Sequence, residues 1–117
     1  MDKYKKKIIV GLTENIRIIG RSKEKEVKAK IDTGATKSSI DARLAASLQL
    51  GPVIKTKLVK SAHGHSVRPV IKIDIELKGK RMKEEFTLAD RKHLKYKVLI
   101  GQNILKKGFL VDASVKN

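Results

Sequence analysis

Residues 32–34 read Asp-Thr-Gly and stand between the alternating stretch "EVKAKI" (26–31) and the small, hydroxyl-rich run "ATKSSI" (35–40). A carboxylate placed directly after a buried strand is costly unless its charge is used, paired or shared. Gly34 permits a sharp turn and a close backbone approach, Thr33 offers a hydroxyl that can tie the loop to a neighbour, and Asp32 is presented at the tip. A carboxylate so presented can do acid–base chemistry. A plain Asx turn, in which Asp, Thr and Gly are all ordinary choices, accounts for the same residues without any chemistry.

The elements that must position Asp32 show mainly as alternation at period two. In "VIKIDIEL" (70–77) Ile71, Ile73, Ile75 and Leu77 point one way while Lys72, Asp74 and Glu76 point the other. "KGK" (78–80) supplies a turn, and "RMKEEFTL" (81–88) resumes with Met82, Glu84, Phe86 and Leu88 on a common side, as a hairpin partner would. Further strands are expected in "KKIIVGL", "NIRIIGR" and "EVKAKI", a glycine-tipped hairpin in "LVKSAHGHSVRPV" (58–70), and a last strand in "FLVDASV" (109–115). "SIDARLAASLQLG" (39–51) reads as a short helix closed by Gly51, and "QNILKKG" as a helical turn. Many short strands, two small helices and no βαβ rhythm point to a compact, mostly antiparallel all-β fold in one domain over residues 1–117.

Composition narrows the class. Hydrophobic residues make up 40% but aromatics only 3%, so the core must be built from Ile, Val and Leu. The absence of cysteine excludes disulfides and thiolate metal sites. No apolar run approaches the roughly 18 residues of a membrane span, and "MDKYKKKIIVGL" is too short in apolar residues for a signal peptide, so the expectation is a soluble, cytoplasmic protein with no membrane partner. The net charge of +16 would gather polyanions, whether nucleic acid, acidic peptide or membrane surface, and does not choose among them.

Apolar strand, "DTGA", hydroxyl residues, a glycine-tipped hairpin and then "KVLIGQNILKKGF" (97–109): in this order the chain resembles the retropepsin-like aspartic proteases over about residues 25–112. More narrowly, "KAKIDTGATKSSID" with "VLIGQNILKKGFLVD" is similar to the retropepsin-like family named for ATP-dependent zinc proteases and associated with an ATP-grasp ligase that adds glutamates to a ribosomal protein. The resemblance implies a closed β barrel of the acid-protease fold with one or two short helices. It implies Asp32 as the catalytic carboxylate and Thr33, Gly34, Ala35 and Ser38 as its loop, with Thr33 bonding across a dimer and Ser38 in a buried hydroxyl position. It further implies His63, Gly64 and His65 as a flap tip, and Ile100, Gly101 and Asn103 in the loop that supports the catalytic strand. Aspartic proteolysis needs two carboxylates that share a proton. Asp2, Asp41, Asp74, Asp90 and Asp112 lie in no comparable setting, so the second group must come from another copy, in a symmetric homodimer. Many retropepsins carry acids after the motif and an arginine after the late glycine; here those places hold Thr36, Lys37 and Gln102.

His63 and His65 could share a face and, with His93 and Asp32, offer ligands to zinc, but no His-Glu-x-x-His helix and no ATP-binding glycine loop is present. No metal and no cofactor is expected. The leading expectation is an aspartic endopeptidase acting on a peptide or protein, with an acidic substrate suited to the basic surface. The alternative is a non-catalytic basic β module that binds RNA, ribosome or another polyanion, against which the scarcity of stacking aromatics argues. A third reading keeps the fold as a dimerisation scaffold without activity.

Overall fold

The computed structural model describes residues 6–62 and 64–116. Its elements run β1 (Ile8–Val10), β2 (Thr13–Ile19), β3 (Glu24–Ile31), β4 (Ser38–Asp41), α1 (Ala42–Ser47), β5 (Val53–Ser61), β6 (Gly64–Leu77), β7 (Lys80–Ala89), β8 (Val98–Ile100), α2 (Gln102–Leu105) and β9 (Phe109–Val111). Strands β2, β3, β8, β4, β7 and β6 pair in that order, and β6 pairs back onto β2, so the sheet closes into a barrel and loses its edges there. β5 extends from β6 as a hairpin, and β1 and β9 form a separate parallel pair.

Alternation builds the interior. Ile16 and Ile18 of β2, Ile71, Ile73, Ile75 and Leu77 of β6 and Phe86 of β7 are buried, together with Ile40, Ile100 and Ile104. Burying each such side chain contributes about 1.5–3 kcal/mol, which is how a core almost without aromatics holds together. Glu84 also lies on the inward face of β7, where its carboxylate takes both its hydrogen bonds from Lys107 Nζ, at 2.8 and 2.6 Å. The turn between β6 and β7 has positive φ at Lys78 (52°) and Gly79 (81°), the conformation a two-residue hairpin favours.

Three expectations from sequence need correction. Residues 39–51 are not one helix: Ser38–Asp41 form β4, buried at every position, because this segment is inserted between β7 and β8 and bonded to both. The helix begins only at Ala42, where Asp41 Oδ2 caps it by accepting from the N–H groups of Arg43 (3.2 Å) and Leu44 (3.3 Å). The last strand is Phe109–Val111 and not 109–115, since Asp112 Oδ1 turns the chain by accepting from the N–H and hydroxyl of Ser114. The hairpin expected at 58–70 and the strand at 70–77 share one fourteen-residue strand, β6. Pro69, which lacks an N–H, sits beyond the end of the β7 pairing, where only β5 runs alongside; from there the hairpin leaves the barrel. The sheet is mostly antiparallel as expected, but β3–β8 and β4–β7 are parallel.

Asp41 does more than cap α1. Its Oδ1 accepts from the N–H of Arg91 at 2.7 Å and so fastens the loop after β7 to the start of the helix. Burial pushes its carboxyl up, but the three N–H donors and the charge of Lys97 outweigh that and hold it below the usual carboxylate range. A depressed carboxyl contributes stability that is present above its unfolded value near 4 and is lost as pH falls through the folded value. Asp41→Ala is therefore expected to cost about 1–2 kcal/mol at neutral pH, measured by urea unfolding, and to flatten the fall in melting temperature between neutral pH and pH 3.

Candidate active site

Asp32 follows β3 directly, and its position is set by the neighbouring parallel strand: its N–H donates to the carbonyl of Ile100 at 2.9 Å, continuing the β3–β8 ladder by one bond. The chain then turns. Asp32 Oδ1 accepts from the N–H of Gly34 at 2.9 Å and the Asp32 carbonyl from the N–H of Ala35 at 3.3 Å. This is an Asx turn, as the residue types allow, and it leaves the half-buried carboxylate with no donor to Oδ2 among the described residues. Thr33 and Gly34 are exposed at the tip.

The loop at 100–103 grips this turn from behind. Gly101 presses against it so closely that a Cβ there would lie 2.3 Å from the carbonyl oxygen of Lys37 and 2.8 Å from that of Ala35, which excludes any side chain. Gln102 donates its N–H to Ala35 O at 2.8 Å and its side-chain Nε2 to Thr33 O at 2.7 Å, so the residue that stands in place of the usual arginine ties the two loops directly. Ser38 is fully buried; its Oγ accepts from Gly101 N–H at 2.9 Å and donates to Asn103 Oδ1 at 2.8 Å, and Asn103 Nδ2 donates on to Glu85 O at 3.0 Å. Each of these polar groups has its partner, as burial demands.

The β5–β6 hairpin stands over the site, with Ser61 opposite Gly64 at its narrow end. Gly64 has φ of +108°, a conformation that favours glycine, and His65 is exposed; His63, expected at the tip, lies outside the described residues. Leu58 and Val67, paired across the hairpin, are 55% and 66% exposed. His93 is exposed on the loop between β7 and β8, and among the described residues no three ligand-type side chains gather as a metal site. Between the hairpin and residues 34–37 lies a cleft of about 430 Å³. Lys37, Lys57, Lys60, Arg68 and Arg91 line it, and among the described residues no carboxylate does. Sequence reading missed Arg68 and Arg91. Each is one of many scattered basic residues in the chain, and no local signal sets either apart.

A six-stranded barrel with an Asp-Thr-Gly turn, a hairpin above it and a Gly-x-Asn loop behind it defines the retropepsin-like class. The chain belongs to the RimB-like family, described as retropepsin-like aspartic endopeptidase RimB, whose model matches residues 45–117. That match covers the hairpin and the supporting loop and does not extend to Asp32. No curated protein matches the chain. Among solved structures, protein Lpg0085 of unknown function (DUF785) from Legionella pneumophila has a TM-score of 0.66 at 23% identity, over 92% of this chain and 95% of that one. The protease of simian foamy virus has a TM-score of 0.59 at 20% identity, over 80% of this chain and 91% of that one. At such identities the likeness is one of fold.

The network around Ser38 makes a graded expectation. Ser38→Ala leaves the buried N–H of Gly101 and the partly buried amide oxygen of Asn103 without partners and should cost about 1–3 kcal/mol. Gly101→Ala should cost more, because backbone must move to admit the methyl group. Denaturant unfolding of the two variants checks the order.

Proposed function

We propose that the protein is an aspartic endopeptidase that works as a symmetric homodimer, with Asp32 supplied by each copy. The observation that carries this reading is the setting of Asp32. Its backbone is locked to β8, Oδ1 is held by Gly34, and the half-buried carboxylate stands next to the exposed tip at Thr33 and Gly34, whose loop lines an open cleft. Side by side at a two-fold axis, two such carboxylates would share one proton, because like charges at that separation do not both ionise. The ionised member takes a proton from water as its oxygen adds to the peptide carbonyl carbon, and the protonated member gives its proton to the carbonyl oxygen. Collapse of the tetrahedral intermediate breaks the C–N bond, and the nitrogen leaves with a proton from the dyad.

Exposure of Thr33 and Gly34 suits a loop that meets its own mate, and exposure of Leu58 and Val67 suits a hairpin that closes over substrate. A cleft lined by five cations and, among the described residues, by no carboxylate favours an acid-rich peptide. Such a substrate would fit a functional link to a glutamate-adding ligase. In the binding-module alternative the same charge would serve RNA or the ribosome, but the Ser38 and Gly101 network around Asp32 would then have no chemical purpose.

Asp32→Asn should reduce peptide cleavage by at least about 10²–10⁴-fold while leaving melting temperature and sedimentation unchanged. Cleavage that survives undiminished in the folded variant would refute the assignment. Nucleic-acid binding with a steep salt slope, equal in both proteins and without cleavage in either, would favour the binding module.

A further inference from the structure

The cations of the cleft are not equivalent. Arg91 is half-buried, and its loop is clamped from three directions. Its N–H donates to Asp41 Oδ1 at 2.7 Å, its Nε donates to Tyr96 O at 3.0 Å, and Lys97 Nζ gathers the carbonyls of Arg91, Lys92 and Leu94 at 3.2, 2.5 and 2.8 Å. These bonds engage Nε and leave the two terminal nitrogens of the guanidinium without an ion pair among the described residues. Arg68, on β6, lines the same cleft.

Burial first, and Arg68 next, depress the basicity of Arg91, while Asp41 and Asp32 act in the opposite sense. An arginine nonetheless stays charged throughout the accessible pH range. Two like charges therefore confront each other, one of them partly removed from water, within electrostatic reach of Asp32. Such an arrangement is relieved by an anion that enters between them. The planar fork of a guanidinium matches a carboxylate with two parallel hydrogen bonds, which a lysine ammonium does not provide.

We propose that Arg91, together with Arg68 in the same lining, is the specificity-determining subsite of the cleft and receives the side-chain carboxylate of a substrate Glu or Asp close to the scissile bond. The assignment rests on the peptidase reading of Asp32 and adds to it the residue that selects the acid. Lys37, Lys57 and Lys60 contribute field and not fit.

The test measures binding separately from cleavage. Calorimetry at fixed salt compares a glutamate-rich peptide with the same peptide carrying glutamine at each glutamate, using the Asp32→Asn protein so that nothing is hydrolysed. The acidic peptide should bind about tenfold more tightly or better, the scale of a charge-assisted hydrogen-bonded pair. Arg91→Gln should remove most of that preference. Lys25→Gln, which deletes one charge at the exposed start of β3, should leave it in place. If Arg91→Gln does not fold, Arg68→Gln reads the same preference. Equal binding of the two peptides, or a preference undiminished in folded Arg91→Gln, overturns the subsite. Wild-type cleavage reports on the other reading: preference in binding with no cleavage sinks the peptidase and keeps the subsite. Cleavage of both peptides at equal kcat/KM does the reverse.

Discussion

The hydrogen bond from the Asp32 amide to the Ile100 carbonyl, 2.9 Å long, joins two strands that meet only because the barrel brings the start and end of the chain together. Asp32 itself is held by short-range bonds within its turn, and those bonds alone would let the carboxylate swing with the loop. Pairing to β8 removes that freedom. It also forces residues 100–103 under the turn, where only glycine fits at 101, and every further contact of the site follows from this placement. Ser38, Asn103 and Gln102 then satisfy the polar groups that so close a packing of two loops would otherwise bury unpaired.

The same long strand serves both core and cleft. β6 contributes Ile71, Ile73, Ile75 and Leu77 to the interior at one end and carries the exposed hairpin at the other, so the hairpin is levered from a rigid base. The change of role falls near Pro69, where pairing with β7 stops. The contacts that stabilise the barrel lie on the other side of that point, so they do not depend on pairing within the hairpin.

Charge is distributed with the same economy. The chain has 12 acidic residues against 28 basic ones, and several of the acids are engaged by partners of their own. Glu24 and Glu76 both pair with Arg17, Glu84 with Lys107, and Glu85 with Lys55. Asp41 is taken up by backbone N–H groups. None of these acids lines the cleft, which keeps its positive lining, and the overall charge of +16 acquires a direction that composition alone does not show.

Period-two alternation in residues 70–77 and 81–88 and the glycine at the β6–β7 turn were legible from the residues, because each is a local preference of backbone or side chain, whereas the order of Asp-Thr-Gly, hairpin and Gly-x-Asn was legible through its resemblance to the retropepsin-like proteases. What only the tertiary structure decided was everything that depends on two distant segments touching. Ser38–Asp41 carry helix-compatible residues next to a true helix, yet β7 and β8 draw them into a strand, since hydrogen bonding to both neighbours outweighs a weak local propensity. Gln102 reaches back to Thr33, and Asp41 reaches forward to Arg91, across 69 and 50 residues respectively. No spacing rule encodes such contacts. Arg91 is one basic residue among 28 in the sequence, and it becomes singular only when folding half-buries it beside Arg68 and within reach of Asp32.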